Sequence, residues 1–166
     1  MIIRDAVKSE LPLIREQRVS AYSEHAQSIP KDHWNALKQA ISSEADSNAE
    51  VELIVAEFNN KIIGSVVLFP PNTDAYEGYL DKLNYCEIRM LAVEPDSRGM
   101  GVATALISEC IERAKLKGYD KIGLHTGEYM VGAINLYNRF GFKRIPEYDF
   151  EPANDGIIVK AFQLSI

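Results

Sequence analysis

A mixed α/β layer fold is predicted by three observations. Two β-branched runs, residues 51–58 and 62–69, flank Asn59-Asn60, and Asn tolerates the positive φ that a tight hairpin needs. Apolar residues recur at helical spacing in four separate stretches. Residues 85–111 run from an apolar strand through a glycine turn into a helix, so that this strand and the one after the helix form a parallel, right-handed crossover pair.

Taken in order, residues 1–6 read as a first strand. Ser9 opens a helix over 9–22, with Pro12 in its first turn and Leu11, Ile14 and Val19 on one face. Residues 23–29 are polar and loop-like. A second helix spans 30–44, with Trp34, Leu37 and Ile41 three to four apart. The hairpin follows, and Pro70-Pro71 ends it. Residues 72–84 form a long loop carrying Asp74, Glu77 and Asp81 with Tyr76 and Tyr79. Such a loop is either a solvated acidic surface or functional.

Residues 85–93 form the central strand, and Glu94-Pro95-Asp96-Ser97 breaks it. In the helix that follows, Val102, Leu106 and Cys110 recur every four residues, with Ala103, Ile107 and Ile111 beside them. Gly118 stops it. A strand over 121–126 leads to a helix over 130–140, with Ala133, Leu136, Tyr137 and Phe140 on one face and Gly141 as terminator. Residues 142–145 and 157–164 are the last strands, joined by a polar loop over 148–156. The order is β-α-α-β-β-β-α-β-α-β-β, in one domain over 1–166.

Composition excludes several classes. The 166 residues are 46% hydrophobic and 25% charged, as in an ordinary globular protein. No apolar run is long enough to span a bilayer, and no membrane association is expected. Met1-Ile2-Ile3-Arg4-Asp5 lacks the features of a signal peptide. A cytoplasmic protein is therefore expected, with Cys86 and Cys110 as reduced core residues. The net charge is -6 and basic residues are scattered, which argues against nucleic-acid binding. His25, His33 and His125 form no metal pattern, so no metal is expected. His125 ends a strand and reads as structural, with a proton relay as the alternative.

The chemistry-bearing feature is Arg98-Gly99-Met100-Gly101 at the start of a helix. The first N–H groups of a helix lack intrahelical partners, and the macrodipole adds positive potential there. Glycines let an anion approach the backbone, and Arg98 adds a forked cation. A phosphate or pyrophosphate at 100–104 is one reading. An ordinary strand-to-helix turn is the other.

Three features together resemble the GNAT superfamily of acyl-CoA-dependent N-acyltransferases. Arg98-Gly99-Met100-Gly101-Val102-Ala103 matches the family's Arg/Gln-x-x-Gly-x-Gly/Ala loop. The preceding strand ends Leu91-Ala92-Val93-Glu94-Pro95 in the usual register. Ala133-Ile134-Asn135-Leu136-Tyr137-Asn138-Arg139-Phe140-Gly141-Phe142 resembles its A-x-x-L-Y-x-x-x-G-F helix. The element order fits along essentially the whole chain.

The resemblance implies a mixed, mostly antiparallel central sheet of six to seven strands flanked by about four helices. It implies acetyl-CoA as co-substrate. Leu91, Ala92 and Val93 would lie along the pantetheine arm, and Arg98, Gly99, Met100, Gly101, Val102, Ala103 and Thr104 would hold the pyrophosphate. Tyr137 would protonate the leaving thiolate. Glu87 stands where some members carry a general base, with a water relay as the alternative. Residues 87 and 89 share a strand face, so a Glu87–Arg89 ion pair is the competing structural reading, as a buried core tyrosine is for Tyr137. One departure stands out: Met130 occupies a position where many members have a cofactor-holding Asn, and it cannot donate an amide bond.

The implied reaction is direct acetyl transfer to a primary amine of a small molecule or peptide. A homodimer is implied only by the resemblance. The acidic residues Asp74, Glu77 and Asp81 would favour a cationic acceptor. Two rival functions fit parts of the sequence. A non-catalytic acyl-CoA sensor on the same fold would bind without turnover. A dinucleotide-binding oxidoreductase is disfavoured because Gly99-x-Gly101 is followed by Thr104, not a third glycine, and comes after a hairpin.

Overall fold

The computed structural model describes residues 1–166. Its elements are β1 (Ile2–Asp5), α1 (Leu11–Tyr22), α2 (Lys31–Ile41), β2 (Glu52–Phe58), β3 (Lys61–Phe69), β4 (Cys86–Val93), α3 (Val102–Leu116), β5 (Lys121–Gly127), α4 (Val131–Phe140), β6 (Lys143–Arg144) and β7 (Val159–Ser165), with short 3-10 turns between them. The element order is the expected one. α2 stops at Ile41, where Ser42 and Ser43 turn their hydroxyls back on the Lys38 and Ala40 carbonyls and compete with the helix. β6 shrinks to two residues because Pro146 starts a turn at once.

One seven-stranded sheet runs in the order β1-β2-β3-β4-β5-β7-β6. Only β4 and β5 are parallel, joined by α3. Asn59 and Asn60 both have positive φ, 51° and 61°, which matches the twist of the β2–β3 hairpin. Helices cover both faces. α3 and α4 pack Leu106, Ile107, Cys110 and Tyr137 on one face against Ile54, Val66, Ile88 and Leu124. α1 and α2 pack Ile14 and Ile41 on the other against Val55, Val67 and Phe69. Both cysteines are free and buried. No helix is long and apolar enough to cross a membrane.

The feature that shapes the site is a bulge in β4. Ser65 faces Ala92 and Val67 faces Arg89, so β4 carries one residue more than β3 across this interval. Met90 takes up the extra residue at φ 56°, an unusual conformation for a residue with a Cβ. Its side chain is buried, and its sulfur accepts from Arg18 Nη1 at 3.2 Å. Arg18 is itself wholly buried, donating to the Ile41 carbonyl at 2.7 Å and pairing with Asp46 at 3.0 Å. The bulge is thus clamped from α1. β4 pairs with β5 only over Cys86–Ile88 against Ile122–Leu124. β5 continues alongside β7 to Gly127. Beyond Ile88 the parallel strands part and leave a wedge open in the sheet.

Candidate active site

A cavity of about 760 Å³ occupies this wedge. Leu91, Ala92 and Val93 line it on one side, and His125, Thr126 and Gly127 on the other. Along β4 the backbone edge facing the wedge has no strand partner past Ile88. An extended chain entering here would meet free strand hydrogen-bonding groups.

At one end stands the glycine turn. Arg98, Gly99, Gly101, Val102, Ala103 and Thr104 line the cavity, whereas Met100 does not and is half exposed. Gly99 and Gly101 both have φ 79°, and a Cβ on either would meet nothing within 4 Å. The glycines therefore serve the backbone conformation, with open space above them. The first helical N–H of α3 to reach back is that of Ala105, to the Gly101 carbonyl at 3.0 Å. Those before it face the space at the helix N-terminus. The Arg98 guanidinium pairs with Glu24 and donates to the Ala21 carbonyl at 3.4 Å, bridging the loop to the end of α1.

Tyr137 lines the cavity from α4, packed on edge against Phe142 at 6.0 Å between ring centres. Burial raises its phenol well above the ordinary value, so the ring is neutral at any working pH. No side chain or carbonyl of the chain hydrogen-bonds its hydroxyl. α4 is terminated by Gly141 at φ 92°, whose N–H and that of Phe142 close on the Asn138 and Tyr137 carbonyls. Met130 sits at the start of α4 and also lines the cavity, its sulfur accepting from Thr126 Oγ1 at 3.4 Å.

Glu87 is placed differently from a directly acting base. It is 2% exposed and does not line the main cavity. It borders a separate void of about 10 Å³ behind it. Its Oε2 accepts from the Tyr76 hydroxyl at 2.7 Å and lies 3.1 Å from His125 Nδ1. Tyr76 and His125 both line the cavity, with ring centres 4.5 Å apart. The carboxylate therefore sits one side chain behind the wall. Its other oxygen, Oε1, has no partner. Burial and the adjacent Glu87 carboxylate push the Tyr76 phenol well above its ordinary value.

His125 is hydrogen-bonded through both ring nitrogens. Its Nε2 lies 2.9 Å from the Tyr148 carbonyl, which can only accept, so Nε2 carries a hydrogen. The Nδ1···Oε2 contact then needs one proton between imidazole and carboxylate. Either the ring is an imidazolium facing a carboxylate, or a neutral ring faces a carboxylic acid.

The competing Glu87–Arg89 pair does not form. Arg89 instead donates to the Ala75 carbonyl and stacks over Tyr76 and Phe69, at 4.7 and 5.5 Å from their ring centres. The bulge at Met90 turns the strand just beyond it, and the 72–84 loop folds over both residues. Nor do the three loop acids converge on the cavity. Asp74 accepts the Gly78 N–H at 2.9 Å within its own turn, and Asp81 borders only the small void. Glu77 alone reaches the main cavity, from an exposed position.

Several lining residues were not anticipated. Tyr79 stacks on Phe150 at 5.5 Å with planes 11° apart, joining the 72–84 loop to the segment before β7. His33 of α2 is buried and pairs with Asp155 at 2.8 Å, with Tyr129 edge-on at 5.7 Å. These contacts roof the cavity from two loops far apart in the chain. The only sequence sign of them was aromatic residues in loops that polar composition alone would leave to solvent.

Comparison with known proteins agrees with this geometry. A model of the acetyltransferase (GNAT) family matches residues 12–142. The chain is 37% identical over 89 residues to an uncharacterized N-acetyltransferase of Methanocaldococcus jannaschii, covering 54% of this chain and 38% of that protein. It is 30% identical over 112 residues to an acetyltransferase of Pectobacterium atrosepticum, covering 68% and 71%. The match to a Schizosaccharomyces pombe N-acetyltransferase spans 41% of that protein, so the chain covers well under half of two of these relatives. Among solved structures, the PaiA N-acetyltransferase of Thermoplasma acidophilum, in complex with coenzyme A, superposes with a TM-score of 0.71 at 16% identity over 99% of this chain and 98% of that one. A ribosomal-protein-alanine N-acetyltransferase from Brucella melitensis superposes at 0.66 and 16% over the whole of both chains. At such identities these likenesses are of fold. The family match over most of the length makes this chain a member of the acetyltransferase (GNAT) family.

Proposed function

We propose that the protein transfers an acetyl group from acetyl-CoA to a primary amine of a small molecule or peptide by direct attack. One observation carries this reading. The wedge between β4 and β5 runs from an open, glycine-lined helix N-terminus to a wall containing Tyr137, His125 and Tyr76, with a buried carboxylate behind it. A pyrophosphate would rest on the N–H groups of residues 99–104 and on Arg98. The pantetheine arm would follow the unpaired edge at 91–93. The reactive thioester would then lie among the polar side chains. The open space over Gly99 and Gly101 fits such a group. Met130 lines the cavity there but offers no amide donor.

In the reaction the amine nitrogen bonds to the thioester carbon and the carbon–sulfur bond breaks. An alkyl ammonium must first lose a proton, since at neutral pH such amines are almost wholly charged. Glu87 is too deep to take that proton directly. The Tyr76 hydroxyl takes it while handing its own hydrogen to Glu87 Oε2, so the carboxylate is the acceptor and His125, engaged at both ring nitrogens, orients it. The second nitrogen proton leaves as the amide forms, and the thiolate gains one. Tyr137, neutral and unpartnered, supplies a hydrogen bond or a late proton transfer to the sulfur. The products are an N-acetylated amine, free CoA and one proton released.

A thiol-release assay with acetyl-CoA and a panel of primary amines tests this. Turnover with release of free CoA is expected. Acetyl-CoA binding without turnover on any amine would mark the chain as a sensor, and no binding at all would refute the reading.

A further inference from the structure

Arg89 is a cation in the cavity wall without a counter-charge. It lines the cavity on the same strand face as Glu87. Glu87 is occupied by Tyr76 and His125, and no carboxylate of the chain reaches ion-pair distance of the guanidinium. Its one hydrogen-bond acceptor is the Ala75 carbonyl, through Nη1. The remaining guanidinium donors are left for a ligand. The contacts with the Tyr76 and Phe69 rings hold the guanidinium in place. Guanidinium geometry matches a carboxylate in bidentate fashion.

The other charged lining groups leave this cation dominant on the acceptor side. Arg98 and Glu24 are paired with each other at the glycine-turn end. Arg139 and Glu77 are exposed. The cavity wall next to Arg89 is aromatic: its guanidinium lies over Tyr76, which packs on Phe150, which in turn stacks on Tyr79. Arg89 is also close to the proton-accepting group. The Tyr76 ring lies 4.7 Å from the Arg89 guanidinium carbon and 4.5 Å from the His125 ring. Arg89 and His125 are therefore no further apart than those two distances laid end to end.

We infer that the acceptor is a free amino acid with an apolar side chain, its carboxylate held by Arg89, its amine presented to the Tyr76–His125–Glu87 group and its side chain against the aromatic walls. This rests on the acetyl-transfer reading above and replaces the cationic acceptor that the loop acids had pointed to. A carboxylate and an amine on one carbon are close enough to meet both groups across a single ring.

The test compares phenylalanine with phenylalanine amide and phenethylamine, and methionine with methionine amide, in the thiol-release assay. The amide and the decarboxylated amine keep the nucleophile and remove the charge. The acids are expected to exceed their neutral analogues in kcat/KM by roughly 10- to 100-fold, the size of a charge-assisted hydrogen bond. Arg89→Gln should collapse that ratio toward one, chiefly by raising KM for the acid, and Arg89→Lys should restore part of it. Equal use of acids and amides by the wild type would overturn the inference. So would an Arg89→Gln ratio equal to that of the wild type, because a purely structural arginine would affect both substrates alike. Acetyl-CoA affinity, measured by calorimetry on the wild type, separates the failures. If acetyl-CoA binds but no acid is acetylated, the amino-acid inference is wrong and the cofactor assignment stands. If acetyl-CoA does not bind, both are wrong.

Discussion

Gly123 of β5 lies directly across the parallel pair from Glu87, and a Cβ built on it would stand 2.5 Å from Glu87 Oε1. The same Cβ would stand 2.5 Å from Tyr85 Cε2 and 3.1 Å from the Phe162 carbonyl. The glycine thus makes the room in which the carboxylate is buried. Gly123→Ala is expected to cost about 1–3 kcal/mol by overpacking, read as a lowered midpoint of thermal unfolding. It should also push the carboxylate away from His125 and Tyr76, reducing kcat/KM in the molecules that remain folded. Wild-type activity in a stable Gly123→Ala protein would show that the position of Glu87 does not matter.

The His125–Glu87 contact holds one proton between two groups, so the two should act as a unit. Glu87→Gln and His125→Asn are each expected to lower kcat/KM and to remove the fall in rate on the acid side. The double variant should be no worse than the poorer single one, since groups in one proton path are strongly non-additive. Additive losses would mean that the two residues work separately. An unchanged pH profile in Glu87→Gln would leave the proton to a water chain.

Asp149 fastens the roof segment to the sheet. It accepts from Arg144 at 2.7 and 2.6 Å and from the Ala161 N–H at 2.8 Å. Burial alone would raise its carboxyl, but the Arg144 and Ala161 bonds outweigh that and hold it below its ordinary value of 3.8. A depressed carboxylate contributes stability that is complete above the unfolded value and is lost as pH falls through the folded one. The wild type should therefore exceed Asp149→Asn in thermal midpoint by a constant margin from about pH 5 to 8, worth on the order of 1 kcal/mol for a partly exposed pair. That margin should shrink as the pH falls below 3.8 and be lost once it has passed through the lowered folded-state value. A margin that survives in acid would assign the effect to packing.

The sheet and the helices were legible because they are written in local periodicity and turn chemistry. The glycine turn was legible for the same reason: Gly99 and Gly101 adopt the positive φ that their chemistry allows. The bulge was not legible, since Met90 carries no mark of a left-handed conformation and is held there by Arg18, seventy-two positions earlier. Residues 87 and 89 keep their alternation ahead of the bulge, and no ion pair forms because Tyr76 and His125 take Glu87 while the Ala75 carbonyl takes Arg89. The aromatic end of the cavity was equally hidden. Tyr76, Phe150 and His125 come from three separate segments, and their meeting is decided by how two long loops fold over the wedge.

Arg98 is engaged with Glu24 where a pyrophosphate would sit. Both side chains are more than 40% exposed, so the pair is weak. Glu24→Gln should free the guanidinium and tighten acetyl-CoA by no more than a few-fold, an effect that shrinks with added salt. Gly101→Glu places a side chain and a negative charge over the helix N-terminus and should weaken binding by at least ~10-fold, about 1.4 kcal/mol. Calorimetry reads both. Unchanged affinity in a folded Gly101→Glu protein would remove the cofactor from this loop.

Tyr137 shows how far a buried phenol can act as an acid. Burial pushes its pKa upward, whereas a free thiol titrates near 8.5. The departing thiolate is thus the weaker base, and full proton transfer from the phenol is uphill until the sulfur has left and is being drawn off by solvent. In the proposed reaction the hydroxyl's main contribution would be a hydrogen bond that strengthens as charge develops on sulfur. Tyr137→Phe keeps the contacts with Phe142 and Phe162 and removes only that bond. kcat should fall ~10²-fold, at the lower end of the general-acid range, with acetyl-CoA affinity and thermal midpoint little changed. An acyl donor with a more acidic thiol leaving group should recover much of the loss, since its sulfur needs less help. If Tyr137→Phe instead retains kcat and loses stability, the tyrosine is a core residue and the thiolate leaves unaided.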